Sequence, residues 1–500
     1  MYHAFSKKKL SRSIINEKAL LFGIDAASET FLHALRSQRE PLYDILGIVE
    51  KEKHHTHRYI HGIPVLGSIG QLDGIVQGLQ KKGKAVDVLL AAPTHLSFQI
   101  IALLTQKART LKISLRQISA ASKENTKIQN LNFSTFLKHS RCEADISNIL
   151  KTFKSKKILI TGAGSCLGKE CALQLANVLP SHITLLDHKA NALYDTAQEV
   201  HQTHPRLSHK ALLCDVRQKK TVFDIIEQEK PDFIFHLAAL RQAALVENQP
   251  AEGTFTQTLG TKYLADAAKA NNVKAMLFVS TCRMQEPRNI LDLTQYGGEV
   301  YCQFLDRSGG ENSTKFLSVR VGAVLGGKNS ITTRLQKQID ARKTITLLHP
   351  DVSRHFIPLQ EAAQLIIHSM FIKLNTLLPH GSTFTLDRGE KISLLEMAKT
   401  LIELSGLVPY EDIPITFMGL NANSSLKDMP IPPQEKIRRT VHPYIYALEP
   451  PTTFPSFFIK NMDKLEKAAC ENNHDLCTQM LKRLSIAEPL STTPTREVLF

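Results

Sequence analysis

Residues 157–168 read KILITGAGSCLG, and this stretch decides the fold. An apolar run, Ile158–Ile160, enters a turn that carries Gly162, Gly164 and Gly168, and a helical pattern follows. Glycines in such a turn let backbone N–H groups approach a pyrophosphate, which then lies at the positive end of the helix. The stretch therefore predicts the first strand, turn and helix of a dinucleotide-binding domain. A glycine turn that serves tight packing alone is the alternative.

The segments after this turn repeat the alternation of strand and helix. Apolar runs with strand character occur at 182–188, 209–216, 231–240, 273–281 and 315–326, and helical patterns separate them. Strands that alternate with helices predict a parallel sheet with right-handed crossovers. Residues 155–331 are thus predicted to form a doubly wound NAD(P)-binding Rossmann domain.

Asp187 ends the second of these strands. An acid at that position can hydrogen-bond the adenosine ribose of a dinucleotide, which favours NAD over NADP. Lys189 lies close by in sequence and could instead meet a 2′-phosphate, so both cofactors remain open.

A similar but shorter pattern occupies residues 19–120. Strand-like runs occur at 19–23, 45–50, 86–92 and 111–118, with helical patterns after the first and the third. This predicts a first Rossmann-like domain. Its turn, GIDAASE at 23–29, carries Asp25 and Glu29, which would repel a phosphate, so we expect no dinucleotide there. Asp25 or Ser28 is expected to cap the helix.

The remaining segments complete the predicted organisation. They are a basic tail over 1–18, a polar connector over 121–154, a small α/β substrate cap over 332–449 and a helical C-terminal extension over 450–500. The predicted fold class is α/β, with two Rossmann-like parallel-sheet domains in series and a cap on the second.

Composition excludes several classes of function. Lys and Arg number 62 against 47 Asp and Glu, a net charge of +15, yet there is no tryptophan and no basic helix, so nucleic-acid binding is not expected. Eight cysteines without a CxxC pair argue against a zinc site, and no metal is expected. The longest apolar stretches, Val88–Leu104 and Ala362–Leu378, are interrupted by polar residues, which argues against a transmembrane segment. We expect a cytoplasmic protein, either soluble or peripheral to the inner face of the membrane.

Several segments together resemble a known family. They are TGAGSCLG at 161–168, LLDHKANALY at 185–194, CDV at 214–216, PDFIFHLAALRQAALVENQPAE at 231–252 and HPDVSRHFI at 349–357. In this order they are similar to the polysaccharide-biosynthesis branch of nucleotide-sugar 4,6-dehydratases and epimerases, in the extended short-chain dehydrogenase/reductase superfamily. The resemblance spans about residues 19–445.

The resemblance implies a cofactor, a substrate and residues for each. The cofactor would be NAD or NADP, and the substrate a nucleoside-diphosphate sugar such as a UDP-N-acetylhexosamine. Hydride would leave C4 of the hexose, water would be eliminated across C5–C6, and the hydride would return at C6. Cofactor contacts are expected from Gly162, Gly164, Ser165, Leu167, Gly168, Asp187, Asp215, Val216, Ala238, Ala239 and Gln295. Substrate contacts are expected from Arg241, Arg320, His349 and Arg354.

The sequence departs from the family at the reacting positions. Where the family has Ser-Thr-Asp-Lys, this chain reads Ser-Thr-Cys-Arg at 280–283. Where it has Tyr or Met followed four residues later by Lys, this chain has Leu291 and Gln295, and a family Asn is Gln257. A neutral glutamine cannot lower a neighbouring pKa by its charge.

Two hypotheses follow from these departures. The first is an active dehydratase or epimerase that uses Thr281 and Asp292 as proton carriers and Arg283 as the local cation. For Asp292, a structural role at a helix start is the alternative. The second is a catalytically disabled homologue that acts as a regulatory or assembly subunit. It would form a homo-oligomer or pair with an active relative.

Overall fold

The computed structural model describes most of the chain. The described residues are 16–23, 26–36, 41–51, 58–91, 97–118, 128–130, 146–282, 289–310, 312–327, 330–387, 390–419, 436–449 and 458–485. Most of the predicted basic tail and much of the predicted connector lie outside these ranges.

The chain divides into two compact units. The first contains Met1–His139, Arg334–Leu347 and Leu394–Phe417, and the second contains Ser140–Thr333, Leu348–Ser393 and Met418–Phe500. Segments of the predicted cap therefore belong to both units. The predicted domain boundaries stay a prediction.

The elements are numbered in chain order. The strands are β1 Glu17–Phe22, β2 Tyr43–Glu50, β3 Tyr59–Ile60, β4 Ile63–Ser68, β5 Val88–Ala91, β6 Ser114–Ile118, β7 Ile128–Asn130, β8 Lys157–Thr161, β9 His182–Asp187, β10 His209–Leu213, β11 Phe233–His236, β12 Ala275–Thr281, β13 Lys315–Val321, β14 Ala323–Leu325, β15 Ile345–Leu347, β16 Ser353–Pro358, β17 Thr383–Leu386, β18 Glu390–Ser393, β19 Ile415–Phe417, β20 Ile437–Arg439 and β21 Ile445–Leu448. The α-helices are α1 Ala26–Arg36, α2 Leu72–Lys81, α3 Phe98–Thr110, α4 Ile146–Phe153, α5 Cys166–Ala176, α6 Ala190–Thr203, α7 Lys219–Glu229, α8 Ala243–Asn248, α9 Pro250–Gly253, α10 Gly260–Ala270, α11 Ile290–Ser308, α12 Ile331–Asp340, α13 Leu359–Asn375, α14 Leu394–Leu404, α15 Phe458–Cys470 and α16 His474–Ser485. A 3₁₀ turn, Ile69–Gln71, precedes α2, and a π-helical turn, Thr254–Leu259, precedes α10.

The first unit is built on a seven-stranded sheet of order β3-β4-β2-β1-β5-β6-β7. The inner strands β4, β2, β1, β5 and β6 are parallel, and β3 and β7 pair antiparallel at the two edges. Leu20 and Leu21 of β1 are both fully buried although they face opposite sides, as expected for a central parallel strand that helices cover on both faces.

The second unit is built on a nine-stranded sheet of order β10-β9-β8-β11-β12-β13-β17-β21-β20. The parallel strands of this sheet are β10, β9, β8, β11, β12, β13 and β17. Strands β21 and β20 extend the sheet with antiparallel pairs. The chain order reverses between β8 and β11. Ligands of doubly wound sheets bind at this switch point, beyond the carboxyl ends of the strands. The prediction of two Rossmann-like parallel sheets is confirmed, and the substrate cap stays a prediction.

The C-terminal extension forms two helices rather than one continuous helix. Helices α15 and α16 pack on each other, α16 packs on α11, and α15 packs on the π-helical turn. Their apolar face, which includes Phe458 and Met462, joins the core on one side of the second sheet. Cys470 is exposed on α15 and Cys477 is buried on α16, so the two cysteines lie on different helices.

Several local features differ from the sequence-based expectations. The β3–β4 hairpin and α2 were not predicted. Ser28 lies inside α1, where its Oγ donates to the Gly23 carbonyl at 3.0 Å, so it is not the residue that caps the helix. The alternative cap, Asp25, lies outside the described residues. Among the helices that the structure describes, none combines the length and the apolar character needed to span a bilayer.

Candidate functional site

The phosphate turn, residues 162–168, connects β8 to α5. Gly162 has φ of +68°, and a Cβ there would lie 2.6 Å from the backbone nitrogen of Ala238. A Cβ on Gly164 would lie 3.0 Å from Asp187 Oδ2, and one on Gly168 would collide with the Gly162 carbonyl. All three glycines are therefore required by close backbone approach. The sequence-based prediction of a Gly-rich strand–turn–helix unit is seen directly.

Ser165 caps the helix that follows the turn. Its Oγ accepts a hydrogen bond from the Gly168 N–H at 3.0 Å, as N-cap serines do. Leu167 is buried in the core, so it supports the turn from behind. The turn thus presents the start of α5, and the positive end of a helix favours an anion.

Asp187 lies beside the turn at the end of β9 and is 7% exposed. Its Oδ2 accepts from the Gly164 N–H at 2.9 Å, and its Oδ1 accepts from the Lys189 N–H at 2.9 Å. An ionised carboxylate can accept about four hydrogen bonds, so each oxygen keeps acceptor capacity. The arrangement fits a carboxylate that meets the hydroxyls of a ribose.

Asp215 and Val216 follow β10. Both carboxylate oxygens of Asp215 are bonded to Arg217, through its Nε at 2.8 Å, its Nη2 at 2.6 Å and its backbone N–H at 3.0 Å. Burial opposes ionisation of Asp215, but the hydrogen bonds from Arg217 outweigh it and lower the pKa of the carboxyl. Val216 is buried and would lie 2.9 Å from a Cβ on Gly260. Their predicted contacts with the cofactor stay predictions.

Ala238 and Ala239 follow β11 and are half-buried. The Ala238 N–H points to Thr161 Oγ1 at 3.4 Å. This contact and the close approach to Gly162 bring the loop after β11 against the phosphate turn.

His236 connects the end of β8 to the start of α10. Its Nδ1 lies 2.6 Å from Thr161 Oγ1 and its Nε2 lies 3.1 Å from Thr261 Oγ1. Thr261 donates to the Gln257 carbonyl at 2.5 Å, so it accepts from Nε2–H, and Nδ1 accepts from Thr161. Burial lowers the pKa of His236 to about 3, so the imidazole is neutral.

The predicted catalytic residues lie at two places. Thr281 ends β12 and is half-buried. Asp292 is 2% exposed in the first turn of α11, where its N–H donates to Asn289 Oδ1 at 2.8 Å. A carboxylate there is stabilised by the helix dipole, in line with the alternative structural role. Arg283 lies outside the described residues.

Two glutamines occupy the buried centre of this region. Gln295 of α11 is 8% exposed, and its Nε2 donates to Gln257 Oε1 at 3.2 Å. Gln257 lies in the π-helical turn and is fully buried. Leu291, one turn before Gln295, is 2% exposed and packs in the core. We call Gln257 and Gln295 the amide pair.

The predicted substrate contacts differ in their exposure and in their partners. Arg320 is buried, and its Nη2 bonds Glu299 Oε1 at 2.6 Å while its Nε bonds both carboxylate oxygens. Arg241 is exposed, His349 is half-buried, and Arg354 donates to the Ser353 carbonyl at 2.9 Å. Their roles as substrate contacts stay predictions, and the position of Arg320 is that of a buried structural ion pair.

Sequence reasoning missed His236, Thr294 and Glu299. The only signal for His236 is a polar residue that ends the apolar run PDFIFH. Thr294 and Glu299 lie within a helical pattern that carries no motif of its own.

Comparison with known proteins agrees with this geometry. The family model described as "Polysaccharide biosynthesis protein" matches residues 158–450. "Capsular polysaccharide biosynthesis protein CapD" of Staphylococcus aureus is 27% identical over 419 residues, which cover 82% of this chain and 68% of that protein. "Probable polysaccharide biosynthesis protein EpsC" of Bacillus subtilis (strain 168) is 26% identical over 437 residues, which cover 86% of this chain and 71% of that protein.

A solved structure shares the fold. The structure of Pen from Bacillus thuringiensis aligns with a TM-score of 0.51 and 25% identity, and it covers 61% of this chain and 89% of that chain. Because the family model matches more than half of the residues, the chain belongs to the polysaccharide biosynthesis protein family.

Proposed function

We propose that this chain binds a nicotinamide adenine dinucleotide at the phosphate turn and a nucleoside-diphosphate sugar beside it, as a dehydratase- or epimerase-like protein of polysaccharide biosynthesis. The phosphate turn carries the proposal, because it leads from β8 into the positive end of α5, which favours an anion, and Asp187 stands beside it for the ribose. "UDP-N-acetylglucosamine 4,6-dehydratase (inverting)" of Campylobacter jejuni, 22% identical over 60% of this chain and 85% of that protein, supports this class of substrate.

We propose NAD rather than NADP as the dinucleotide. Asp187 is buried and would face a 2′-phosphate with a like charge. Titration of the protein with NADH and NADPH, followed by nucleotide fluorescence, should show tighter binding of NADH. Asp187→Asn should narrow the difference in affinity between NADH and NADPH by about tenfold or more, since one charged contact contributes about 1.5–3 kcal/mol. Equal or tighter binding of NADPH by the unchanged protein would contradict this choice.

In the first candidate function, this chain's residues work on the sugar. The dinucleotide, when bound, supplies the acceptor for hydride from C4. Thr281 at the end of β12 and Asp292 at the start of α11 would exchange protons with the sugar, and Arg283 would supply the local cation. The observation in favour is that Thr281 and the start of α11 both lie at the carboxyl end of the parallel sheet.

The second candidate is a homologue that binds these ligands without turnover and serves as a regulatory or assembly subunit. One observation favours it: the amide pair and Leu291 fill the centre of the region with buried neutral side chains. None of the three exchanges protons near neutral pH. Such a subunit would form a homo-oligomer or pair with an active relative.

One experiment separates the candidates. The purified protein is examined for co-purified NAD(H) by absorbance and is then incubated with UDP-N-acetylglucosamine. A 4-keto product, detected by its absorbance in alkali, would establish the first candidate. Bound nucleotide without product would establish the second. Gly162→Val, which cannot form the turn, is the negative control, and absence of nucleotide from the unchanged protein, with no binding of added NADH, would overturn the proposal.

A further inference from the structure

The hydrogen bonds of the amide pair run in one direction. Thr294 Oγ1 donates its only hydrogen to the Leu291 carbonyl at 2.8 Å. It must therefore act as the acceptor for Gln257 Nε2, which lies 3.5 Å away. This orients the Gln257 amide, so that its Oε1 faces Gln295 and accepts from Nε2 at 3.2 Å. The polarity of each amide thus follows from one threonine hydroxyl.

The surroundings hold these side chains in place. Gln257 and Thr294 are fully buried, so water does not compete for their polar atoms. Thr258 Oγ1 donates to the Thr294 carbonyl at 2.7 Å and joins the π-helical turn to α11. The two segments approach so closely that a Cβ on Gly297 would lie 2.9 Å from Thr258 Oγ1, and one on Gly298 would lie 2.9 Å from the Gln257 carbonyl. We call the hydrogen bonds that run from Thr294 through Gln257 to Gln295 the relay. Close packing leaves the relay little room to rearrange.

We infer that Thr294 and Gln257 are positioning residues that fix the amide of Gln295, leaving its carbonyl Oε1 as a hydrogen-bond acceptor for a hydroxyl of the dinucleotide. This inference rests on the proposed function for its ligand. The relay itself does not depend on the proposed function, because it is formed by residues of this chain alone. Gln295 then recognises a hydroxyl donor without charge, whereas a lysine at the same position would offer only donors.

The relay also predicts which side chains can be placed at position 295. Gln257 places its Oε1 there, so a side chain that donates a hydrogen bond fits position 295. A side chain with acceptor atoms alone is destabilising. Gln295→Lys and Gln295→Glu are close in size and opposite in this respect, which makes them a matched pair.

The first test needs no ligand. Thermal unfolding of both variants is followed at about pH 8 and about pH 5. At about pH 8 the Tm of Gln295→Glu should lie below that of Gln295→Lys. The introduced carboxylate is buried beside an acceptor, so its pKa in the folded state is raised above about 4.3. The deficit is therefore largest above that raised pKa and should shrink as the pH falls, because the protonated carboxyl can donate. Equal Tm values, or a gap unchanged by pH, would overturn the relay.

The second test uses NADH as the probe. Thr294→Val removes the hydroxyl that sets the polarity, and Thr294→Ser retains it. We expect Thr294→Val to weaken NADH binding by about threefold to tenfold, the range of one hydrogen bond, and Thr294→Ser to bind like the unchanged protein. Equal affinities for the two variants would overturn the positioning role. If the unchanged protein binds no NADH, the proposed function is wrong, and the comparison at position 295 still decides the relay.

Discussion

The phosphate turn and the amide pair lie in the same unit. Hydrogen bonds link Thr161, just before the turn, through His236 and Thr261 to the Gln257 carbonyl. The two regions differ in the charge of their buried side chains. At the phosphate turn a buried carboxylate, Asp187, accepts two backbone N–H groups beside a helix start. At the amide pair the side chains of Gln257, Thr294 and Gln295 are all neutral. His236, which contacts Thr261 nearby, is neutral as well, because burial lowers its pKa to about 3. One region therefore places a buried carboxylate beside a helix start, and the other holds only neutral hydrogen-bonding side chains.

Burial alone does not explain the neutral amide pair. Glu299 lies four residues after Gln295 on the same face of α11, and it is fully buried in an ion pair with Arg320. The same helix therefore accommodates a charge one turn further on, where a partner is supplied. What distinguishes position 295 is that its neighbour, Gln257, is an amide rather than a charged group.

The largest effect is expected from Glu299→Ala. It leaves Arg320 buried without its main partner, and breaking a buried pair in this way costs about 3–5 kcal/mol. Denaturant unfolding should show a loss of that size in the free energy of unfolding. The result would confirm that the buried carboxylate of Glu299 and the guanidinium of Arg320 stabilise the fold as a pair.

The control for this change is the double variant Glu299→Leu with Arg320→Leu. Replacing both members of a buried pair by apolar groups is often close to neutral, so the double variant should recover most of the loss. A loss below about 1 kcal/mol for Glu299→Ala would contradict the structural role of the pair and would favour the predicted role of Arg320 as a substrate contact.

A smaller effect on stability is expected from Gly168→Ala. The added Cβ would collide with the Gly162 carbonyl and lie 2.9 Å from Ala163 Cα, so backbone must shift. Overpacking of this kind costs about 1–3 kcal/mol, and NADH binding should be lost with it. Gly310→Ala is the matched control, because nothing lies within 4 Å of a Cβ there. Unchanged NADH affinity in Gly168→Ala would show that the turn does not hold the dinucleotide.

The sequence predicts the sheets well because the periodicity of apolar residues and the order of strands and helices are local properties. The run at 157–168 and the alternation that follows it are enough for a parallel doubly wound sheet, and the structure confirms one in each unit. The β3–β4 hairpin escapes prediction because its strands are short and include Pro64. The break between α15 and α16 depends on the left-handed backbone of Asn472, with φ of +52°, which apolar spacing does not reveal.

The site is predictable only where chemistry follows sequence spacing. The glycines lie in one strand–turn–helix unit and Asp187 ends the next strand, so the sequence predicts that they lie close together. The amide pair joins residues 38 positions apart, so no periodicity reveals it, and its polarity depends on a hydroxyl that no motif marks. The contact of Arg320 with the substrate is implied by the resemblance alone, and its ion pair with Glu299, one element away, follows from no spacing in the sequence.

The smallest effect tests the link between the two regions. His236 is neutral in the folded state with its pKa lowered to about 3, whereas in the unfolded chain its pKa is about 6.5. The unfolded state therefore binds more protons below about pH 6.5, so stability falls as the pH falls, by about 1.4 kcal/mol per unit between pH 6.5 and 3. His236→Gln cannot titrate and should lose less between about pH 7 and pH 5.5 in denaturant unfolding. His182 and His442, whose pKa values burial also lowers, remain in both proteins, so the difference isolates His236. Parallel pH profiles would mean that His236 is protonated in the folded protein, and the neutral link between the phosphate turn and the amide pair would be wrong.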